Sequence, residues 1–542
     1  MTDFQIADVV EAVCDACADR DAVVCGDTRR TFAELDERAT RLAHALAQRG
    51  IGRGDHIGTY MYNAVEYVET MLAAFKIGAA PINVNFRYVE DELRYLFTNA
   101  DLKAVVFHRE FAPRIANVRG ECPGLETLLY VDDDSGCDVA DLGAVAFEDA
   151  VAAGSPARDF TGRSGDDLFI IYTGGTTGMP KGVMWRHDDA YYACFGGGNP
   201  VGDDITDIAA LVDKAVTTGQ YISMLNTAPL IHGAAQLATF ISLIAGNKCV
   251  FQKTFDASDV PRIVEAEKIT TLSIVGDAMG RPIADALEAQ AAAGNAHDVS
   301  PLIIISSAGA ILSEPVKAKL KQYLTNCTIL DNYGSSETGF QGMGAGGETR
   351  SFGKGLSFNM NSRTVVLDDD LKPVAPGSGM RGRVVLTGHV PIGYYNDAAK
   401  TAETFVTIDG LRHSITGDVA EVLEDGTIKL YGRGSQVVNT GGEKVFIEEV
   451  ENAVKAHDAI FDAVVVGLDD DRYGQRVVAL VSIKHGYVAP TEDELREHCR
   501  AHIAGYKVPK EIYVVDAVFR GPNGKADYKL SRTTAEELSR AR

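Results

Sequence analysis

One segment of the chain, residues 172–182, has the composition of a phosphate-binding loop: YTGGTTGMPKG. It follows an apolar run at residues 168–172, which predicts a buried strand. Glycine frees backbone N–H groups to surround an anion, threonine hydroxyls donate hydrogen bonds, and lysine adds a point charge. Lys181 is followed by Gly182 rather than by Ser or Thr, so the segment is not a Walker A loop. The alternative, a glycine-rich turn without a ligand, is disfavoured because these residue types converge directly after a strand.

Three further polar residues stand in turn-like contexts. Glu337 follows two serines, and a single carboxylate suits Mg²⁺ when phosphate oxygens complete its coordination. Asp418 follows a Thr-Gly turn, where it could accept two hydroxyl donors of a ribose or simply cap the turn. Lys525 stands in a Pro-Asn-Gly-Lys turn, and the alternative to a catalytic role is an ordinary exposed lysine.

The elements that position these residues follow an α/β pattern. Helical spacing at 32–50 and 65–76 alternates with β-rich runs at 103–108, 127–131, 168–172, 272–275, 302–306, 364–367 and 383–387. This succession predicts an α/β protein with largely parallel sheets. A hairpin is expected around Asp425-Gly426, and a compact α+β unit follows residue 432. In that unit Thr491 and Glu494 form a capping-box pattern that opens a helix.

Composition and charge narrow the class of protein. The chain has 542 residues, with 52 Lys plus Arg against 76 Asp plus Glu, for a formal net charge of −24. This length predicts two to four domains with a substantial core. The acidic balance argues against non-specific nucleic-acid binding, which needs a basic footprint. A few local cations can still hold an anionic small ligand, because distant charges are screened.

The cysteines and the apolar segments bear on the cellular compartment in which the protein is expected. The nine cysteines are odd in number in a large chain, so a disulfide framework is not expected. Cys14-x-x-Cys17 could be a redox or zinc motif, but its setting favours one face of a helix. No basic segment precedes an apolar run at the N-terminus, and the longest apolar stretch is too short for a bilayer. We therefore expect a cytoplasmic protein without stable membrane insertion.

Taken together, the motifs resemble those of the adenylate-forming superfamily of acyl-CoA synthetases, luciferases and peptide-synthetase adenylation domains. The resemblance covers nearly the whole chain, and it is carried in family order by residues 31–46, 172–182, 228–236 (APLIHGAAQ), 306–313 (SSAGAILS), 331–339 (DNYGSSETG), 416–418, 430–445 and 522–530 (PNGKADYKL). It implies a large N-terminal AMP-binding domain at 1–432, a hinge at 433–435 and a small mobile α+β domain at 436–542.

The resemblance also implies roles for individual residues. Lys525, Glu337 and Thr173 are the implied catalytic residues, and Glu337 is the implied Mg²⁺ ligand. The implied ATP-binding positions are Thr173, Gly174, Gly175, Thr176, Thr177, Gly178, Lys181, Ser307, Ala308, Gly309, Ala310, Asn332, Tyr333, Gly334, Ser335, Ser336, Asp418, Arg433 and Lys525. Among these, Tyr333 is expected to flank adenine and Ser336 to contact the acyl-adenylate.

Two further sets of residues complete the implied site. The walls of the acyl pocket are His232, Gly233, Asp277, Gly309 and Gly339. The implied hinge and CoA tunnel residues are Ser435, Gly441 and Gly442. The family usually has Asp or Lys at the position of Ser435, which leaves the pivot residue of the hinge open. We assign Trp185, the only tryptophan, to packing.

The function implied by the resemblance is an AMP-forming acyl-CoA ligase that uses ATP, Mg²⁺ and CoA. The small residues after His232 favour a hydrophobic acid, either a medium- or long-chain fatty acid or a steroid side-chain acid, with an aryl acid as the main competitor. The alternatives are a stand-alone enzyme that loads a carrier protein, a luciferase-like oxygenase, and a nucleotide-binding relative without catalysis. The expected partner is a small-molecule carboxylic acid, with a homodimer possible and no nucleic acid.

Overall fold

The structure is a computed structural model. It describes residues 3–173, 179–200, 202–217, 222–310, 312–344, 356–433, 437–440, 443–470, 474–503, 505–521 and 524–542. The α-helices in these ranges are α1 Ile6–Ala16, α2 Phe32–Ala47, α3 Val65–Lys76, α4 Glu90–Asn99, α5 Ala112–Arg119, α6 Phe147–Ala153, α7 His187–Ala193, α8 Ile208–Thr217, α9 Gly233–Ile244, α10 Val260–Glu267, α11 Gly276–Ala292, α12 Glu314–Tyr323, α13 Ala398–Thr404, α14 Ile447–Lys455, α15 Glu492–Arg500 and α16 Tyr528–Arg540.

The strands are distributed along the whole chain. They are β1 Asp21–Cys25, β2 Thr28–Thr31, β3 His56–Tyr60, β4 Ala80–Asn83, β5 Leu102–His108, β6 Thr127–Val131, β7 Val145–Ala146, β8 Leu168–Thr173, β9 Lys181–Arg186, β10 Ser223–Asn226, β11 Lys248–Phe251, β12 Thr271–Ile274, β13 Ile304–Ser307, β14 Thr328–Ser335, β15 Gly339–Met343, β16 Leu356–Met360, β17 Thr364–Leu367, β18 Arg381–Thr387, β19 Gly393–Tyr394, β20 Phe405–Ile408, β21 Leu411–Val422, β22 Ile428–Arg433, β23 Val437–Thr440, β24 Glu443–Phe446, β25 Ile460–Asp470, β26 Gly474–Ile483 and β27 Glu511–Val514.

These strands form four sheets within the described ranges. An all-parallel sheet has the order β4-β3-β5-β6-β7, and a small antiparallel sheet has the order β19-β9-β8. The largest sheet is parallel from β1 through β11, β10, β12 and β13 to β14. A separate sheet, β24-β23-β26-β25 with β27 beside β26, lies in the last hundred or so residues. The expected α/β class with a smaller C-terminal unit is confirmed.

The second half of the largest sheet departs from the expected parallel arrangement. From β14 onward its strands pair antiparallel, in the order β14-β15-β16-β22-β21-β18-β17. Short connections account for the β14–β15 and β21–β22 pairs, because a parallel pair needs a crossover of a dozen or more residues. The β16–β22 and β18–β21 pairs join strands that are not consecutive in the chain. The expected hairpin at Asp425-Gly426 is the β21–β22 connection, and Gly426 takes the positive φ of +81° that its turn requires.

The helix signals in the sequence are largely reproduced. α2 begins with a complete capping box between Thr31 and Glu34, and α15 begins with the expected one between Thr491 and Glu494. α2 ends at Ala47, three residues before the predicted end at residue 50. Residues 48–50 form a turn, in which the N–H of Gly50 donates to the carbonyl oxygen of Ala47. α3 is almost wholly buried between neighbouring layers, as its apolar sequence indicates.

The cysteines and the helix lengths agree with the sequence-based expectations. All nine cysteines are free, and Cys14 and Cys17 are buried on one side and at the end of α1. Burial raises the pKa of both thiols, which makes them inert rather than reactive. In the part of the chain that the structure describes, no helix combines the length and apolarity needed to cross a bilayer.

Candidate functional site

The two ends of the glycine-rich segment are held side by side. β8 and β9 pair antiparallel, so that Thr173 lies opposite Lys181 in the register. β8 forms here because its residues are apolar and buried on both sides. The predicted phosphate-binding residues Gly174, Gly175, Thr176, Thr177 and Gly178 lie outside the described residues.

Lys181 has an acidic partner that the sequence did not reveal. Its ammonium group pairs with the carboxylate of Asp397, and it lies 6.0 Å from the ring centroid of Tyr394. The hydrogen bond from Lys181 holds the pKa of Asp397 below its usual range. Asp397 also accepts the backbone N–H of Lys400 at the start of α13, which fixes its position. An anion that binds Lys181 must therefore compete with this carboxylate.

A tight turn between β14 and β15 carries Glu337. Its geometry depends on glycine at both ends: a Cβ on Gly334 would lie 2.1 Å from the carbonyl oxygen of Gly339. Gly339 has a φ of +61°, and a Cβ there would lie 2.4 Å from the carbonyl oxygen of Ala193. The hydroxyl of Thr338 accepts the backbone N–H of Ser335 and closes the turn.

The backbone and side chain of this turn are anchored from three sides. The indole N–H of Trp185 donates to the carbonyl oxygen of Ser336 at 2.9 Å. The hydroxyl of Ser414 donates to the carbonyl oxygen of Glu337 at 2.8 Å. The phenol of Tyr394 donates to Oε1 of Glu337 at 3.0 Å. Trp185 is fully buried, as packing predicts, but it also holds the backbone of Ser336.

The expected adenine-binding segment follows β13. Ser307, at the end of β13, is buried, and its hydroxyl accepts the backbone N–H of Gly276 at 3.2 Å. Ala308, Gly309 and Ala310 come next, and Gly309 has a φ of +77°. Because β13 and β14 are parallel and adjacent, their carboxyl ends meet at one edge of the sheet.

Tyr333, the residue expected to flank adenine, packs with one part of its ring against other side chains. Its ring centroid lies 5.4 Å from that of Phe358, and it packs against the small core formed around β16 to β22. The neighbouring Asn332 donates to the hydroxyl of Ser306 at 2.5 Å. The structure therefore uses Tyr333 as a core residue of the antiparallel half of the sheet, and an adenine contact stays a prediction.

Asp418 and Arg433 lie opposite each other in the antiparallel register of β21 and β22. Asp418 is buried, and its Oδ2 accepts the hydroxyl of Thr416 at 2.9 Å. Thr416, Gly417 and Asp418 lie within β21, so the turn expected from the Thr-Gly-Asp pattern is wrong. Gly417 has a φ of +88° and forms an irregularity in the strand, where the pairing with β18 shifts register. The predicted hinge and CoA residues Ser435, Gly441 and Gly442 lie outside the described residues.

The loop before α9, which carries the expected pocket residues, is held by buried side-chain amides. Asn83 donates to the carbonyl oxygens of Tyr172 and Ile231 at 2.7 and 2.6 Å, and its own oxygen accepts the N–H of Tyr172 at 2.7 Å. Asn63 binds the backbone of the same loop at Ala228 and Leu230. These amides join the phosphate-loop strand to the pocket loop.

His232 precedes α9 and stands between this loop and the Glu337 turn. The next residue, Gly233, approaches the turn so closely that a Cβ would lie 3.1 Å from the hydroxyl of Ser336. Burial, together with the positive charges of Lys525 and Arg87, lowers the pKa of His232 from 6.5 to about 4. His232 is therefore neutral at physiological pH, which suits a pocket wall.

Replacing His232 by Phe should flatten the pH dependence of stability. In the unfolded chain the imidazole protonates near pH 6.5 and in the folded chain near pH 4, so its stabilising contribution is present above pH 6.5 and is lost as pH falls toward 4. Between pH 7 and pH 5 the variant should lose about 1–2 kcal/mol less unfolding free energy than the wild type. Urea titrations at both pH values measure this. The same change at exposed His485 is the control. If the unfolding free energies of the wild type and of His232→Phe change equally between pH 7 and pH 5, the lowered pKa of His232 is refuted.

Lys525 is exposed, and a backbone hydrogen bond connects it to Gly521. The N–H of Gly521 donates to the carbonyl oxygen of Lys525 at 2.8 Å, and Gly524 has a φ of +74°. A Cβ on Gly524 would lie 2.9 Å from that of Ala278 in α11. Lys525 is close enough to His232 for its positive charge to contribute to the lowered pKa of that imidazole.

Asp277 was expected in the wall of the acyl pocket, which stays a prediction, and the structure gives its carboxylate partners on both sides. Its Oδ1 accepts the backbone N–H of Ser313 at 2.7 Å. Its Oδ2 lies 3.5 Å from the guanidinium of Arg281 and 3.9 Å from the ammonium of Lys455.

The functional residues that the motifs missed are Asn83, Tyr394 and Asp397. Asn83 ends β4, and an amide at the carboxyl end of a parallel strand could have suggested a site residue. Tyr394 and Asp397 stand in a short YYND segment with no recognisable pattern. Their partners, Glu337 and Lys181, are distant in the sequence.

Comparisons with known proteins agree with this arrangement. A family model described as AMP-binding enzyme matches residues 10–395, and one described as AMP-binding enzyme C-terminal domain matches residues 449–525. The medium/long-chain-fatty-acid–CoA/3-oxocholest-4-en-26-oate–CoA ligase of Mycobacterium tuberculosis is 47% identical over 534 residues, which cover 98% of this chain and 96% of that protein. The 3-oxocholest-4-en-26-oate–CoA ligase of Rhodococcus rhodochrous is 44% identical over 531 residues, with 98% and 95% covered.

Among solved structures, the anthranilate CoA ligase AuaEII in complex with anthranoyl-AMP has a TM-score of 0.84 at 22% identity, with 99% of this chain and 98% of that chain covered. At that identity the likeness shows the fold alone, which is the adenylate-forming fold. The chain belongs to the AMP-binding enzyme family. Its whole-length likeness to CoA ligases places it in the acid–thiol ligase class of that family.

Proposed function

We propose that this acyl-CoA ligase activates a bulky or medium-to-long hydrophobic carboxylic acid, such as a fatty acid or a steroid side-chain acid. The observation that carries the proposal is the 47% identity, over nearly the whole of both chains, to a ligase named for both kinds of acid. The start of α9 is consistent with it, because the residues that follow His232 are the small Gly233, Ala234 and Ala235.

In the first half-reaction an oxygen of the acid attacks the α-phosphorus of ATP, a new O–P bond forms, and pyrophosphate leaves. Negative charge concentrates at the phosphorus, so catalysis rests on positioning and on fixed positive charge. Lys525 supplies that charge from the C-terminal part, and Lys181 supplies it from the phosphate loop. In the second half-reaction the thiol of CoA displaces AMP from the acyl group.

The residues around Glu337 fit a Mg²⁺ ion. Only Oε1 of its carboxylate accepts the described hydrogen bond from Tyr394, so Oε2 can coordinate a cation. When bound there with ATP, Mg²⁺ would neutralise phosphate charge. Glu337 holds its place through Ser414, which binds its carbonyl oxygen.

The nucleotide itself would be held by the edge of the large sheet. We propose that the carboxylate of Asp418 accepts ribose hydroxyls, since it is buried and oriented by Thr416.

We also divide the chain into an N-terminal domain at 1–432, a hinge at 433–435 and a mobile domain at 436–542. The separate sheet that begins with β23 supports this division.

A panel assay tests the proposed function. The wild-type enzyme is given ATP, Mg²⁺ and one acid of a series: short, medium and long fatty acids, aryl acids and steroid side-chain acids. AMP release is measured with and without CoA. We expect CoA-dependent turnover with the long-chain and steroid acids, at a kcat/KM at least about tenfold above acetate and benzoate. AMP release that CoA does not accelerate with any acid would instead favour a carrier-loading enzyme.

A further inference from the structure

The first turns of α11 contact the C-terminal part of the chain through two charged side chains. Oδ2 of Asp277 lies 3.9 Å from Nζ of Lys455 in α14, and only 9% and 4% of these two side chains are exposed. One turn later, the guanidinium of Arg281 lies 5.1 Å from the ring centroid of Phe461 in β25. Asp277 is itself fixed on the N-terminal side, because its Oδ1 accepts the N–H of Ser313.

The same turns of α11 touch the loop that carries Lys525. The close approach of Gly524 to Ala278 leaves no room for a side chain at that point. From the other side, Arg520 donates to the carbonyl oxygen of Gly524 at 2.9 Å and pairs with both carboxylate oxygens of Asp462 at 2.6 and 2.8 Å. The position of Lys525 therefore depends on how α14, β25 and this loop lie against α11.

An acyl-pocket role explains these contacts poorly. Among the described residues, Oδ2 of Asp277 has no hydrogen-bond partner, and its ion-pair partners are Lys455 and Arg281. A carboxylate in the wall of a hydrophobic pocket would carry a desolvation cost and would repel the carboxylate of the substrate. A carboxylate that neutralises a nearly buried lysine lowers the cost of burying both charges.

We propose that Asp277 is a positioning residue for the adenylation half-reaction: with Lys455 it forms an ionic latch that holds the C-terminal part against α11 and so keeps Lys525 at the site. The proposal rests on the proposed two-step function. It assigns Asp277 no contact with the acid, and it requires the latch only in the arrangement in which Lys525 meets the α-phosphate.

The test uses Asp277→Asn, Lys455→Gln and the double variant in the full-length enzyme. Adenylation is followed by acid-dependent ATP–pyrophosphate exchange, and thioester formation is followed from supplied acyl-adenylate and CoA. In each single variant the kcat of adenylation should fall about tenfold or more, equally for every acid accepted, with the KM for the acid unchanged. Thioester formation should stay within about twofold of wild type, and the double variant should be no worse than the poorer single variant.

The matched control is Glu288→Gln, which makes the same chemical change about three turns further along α11. Glu288 pairs with Lys319 of α12 at 2.7 Å and is half exposed, so both half-reactions should keep wild-type rates. Thioester formation by the same preparation also shows that each variant is folded.

Three outcomes would overturn the latch: an equal fall in both half-reactions, a loss that varies with the size of the acid, or independent losses that multiply in the double variant. The second would restore Asp277 to the acyl pocket. Failure of the wild-type enzyme to form a thioester from the acyl-adenylate would refute the ligase function instead. The latch would then be judged by pyrophosphate exchange and by the double variant alone.

Discussion

Replacing Lys525 by alanine should lower the rate of adenylation by about 100- to 1,000-fold, the usual effect of removing one group that stabilises charge in a transition state. Negative charge increases at the α-phosphorus as the acid attacks, and we propose that Lys525, whose charge influences the pKa of His232, is the cation that stabilises it. Thioester formation from supplied acyl-adenylate should change by less than about fivefold, because no phosphoryl transfer occurs in that step.

Pyrophosphate exchange and thioester formation, measured on one preparation, test this expectation. Lys529→Ala is the matched control: Lys529 is an exposed lysine in the first turn of α16, four residues beyond Lys525, and both rates should remain at wild type. If the two half-reactions fall equally in Lys525→Ala, the role assigned to Lys525 is wrong.

Replacing Glu337 by glutamine should lower adenylation by about 100-fold at millimolar Mg²⁺ and raise the Mg²⁺ concentration needed for half-maximal activity. The amide keeps the size of the side chain and can still accept the hydrogen bond of Tyr394, but it is a weaker ligand for a hard cation. The measurement is a Mg²⁺ titration of pyrophosphate exchange at fixed ATP.

The variant Tyr394→Phe measures the contribution of the hydrogen bond to Glu337 separately from that of the carboxylate itself. It removes the donor to Oε1 and keeps the aromatic ring near Lys181, so activity should fall by no more than about fivefold with the Mg²⁺ requirement little changed. A Glu337→Gln enzyme with the wild-type Mg²⁺ requirement would show that the cation is held elsewhere.

The local signals in the sequence were reliable where the interacting residues are close together in the chain. The capping box of Thr491 with Glu494 and the hairpin at Asp425-Gly426 join residues only a few positions apart, and the structure has both. The motif around Glu337 was recognised by composition, and its tight turn follows from glycine geometry.

The missed features depend on partners that only the complete fold brings together. Asn83 and Tyr172 are 89 positions apart, and Lys181 and Asp397 are 216 apart, so no local pattern could reveal these contacts. The antiparallel half of the large sheet has the same origin, because β16 pairs with β22 and β18 with β21, which are not consecutive strands. The ion pair of Asp277 with Lys455 likewise joins residues far apart in the sequence, and no local pattern around either residue predicts it.

The bond between Trp185 and Ser336 has an optical consequence. The chain contains one tryptophan, so its indole fluorescence comes from a single, fully buried position. That indole donates its N–H to the carbonyl oxygen of a residue expected to contact the acyl-adenylate. The emission of the unlabelled enzyme therefore reports on the backbone of the site itself, and stopped-flow mixing with ATP and acid can follow the binding step in real time.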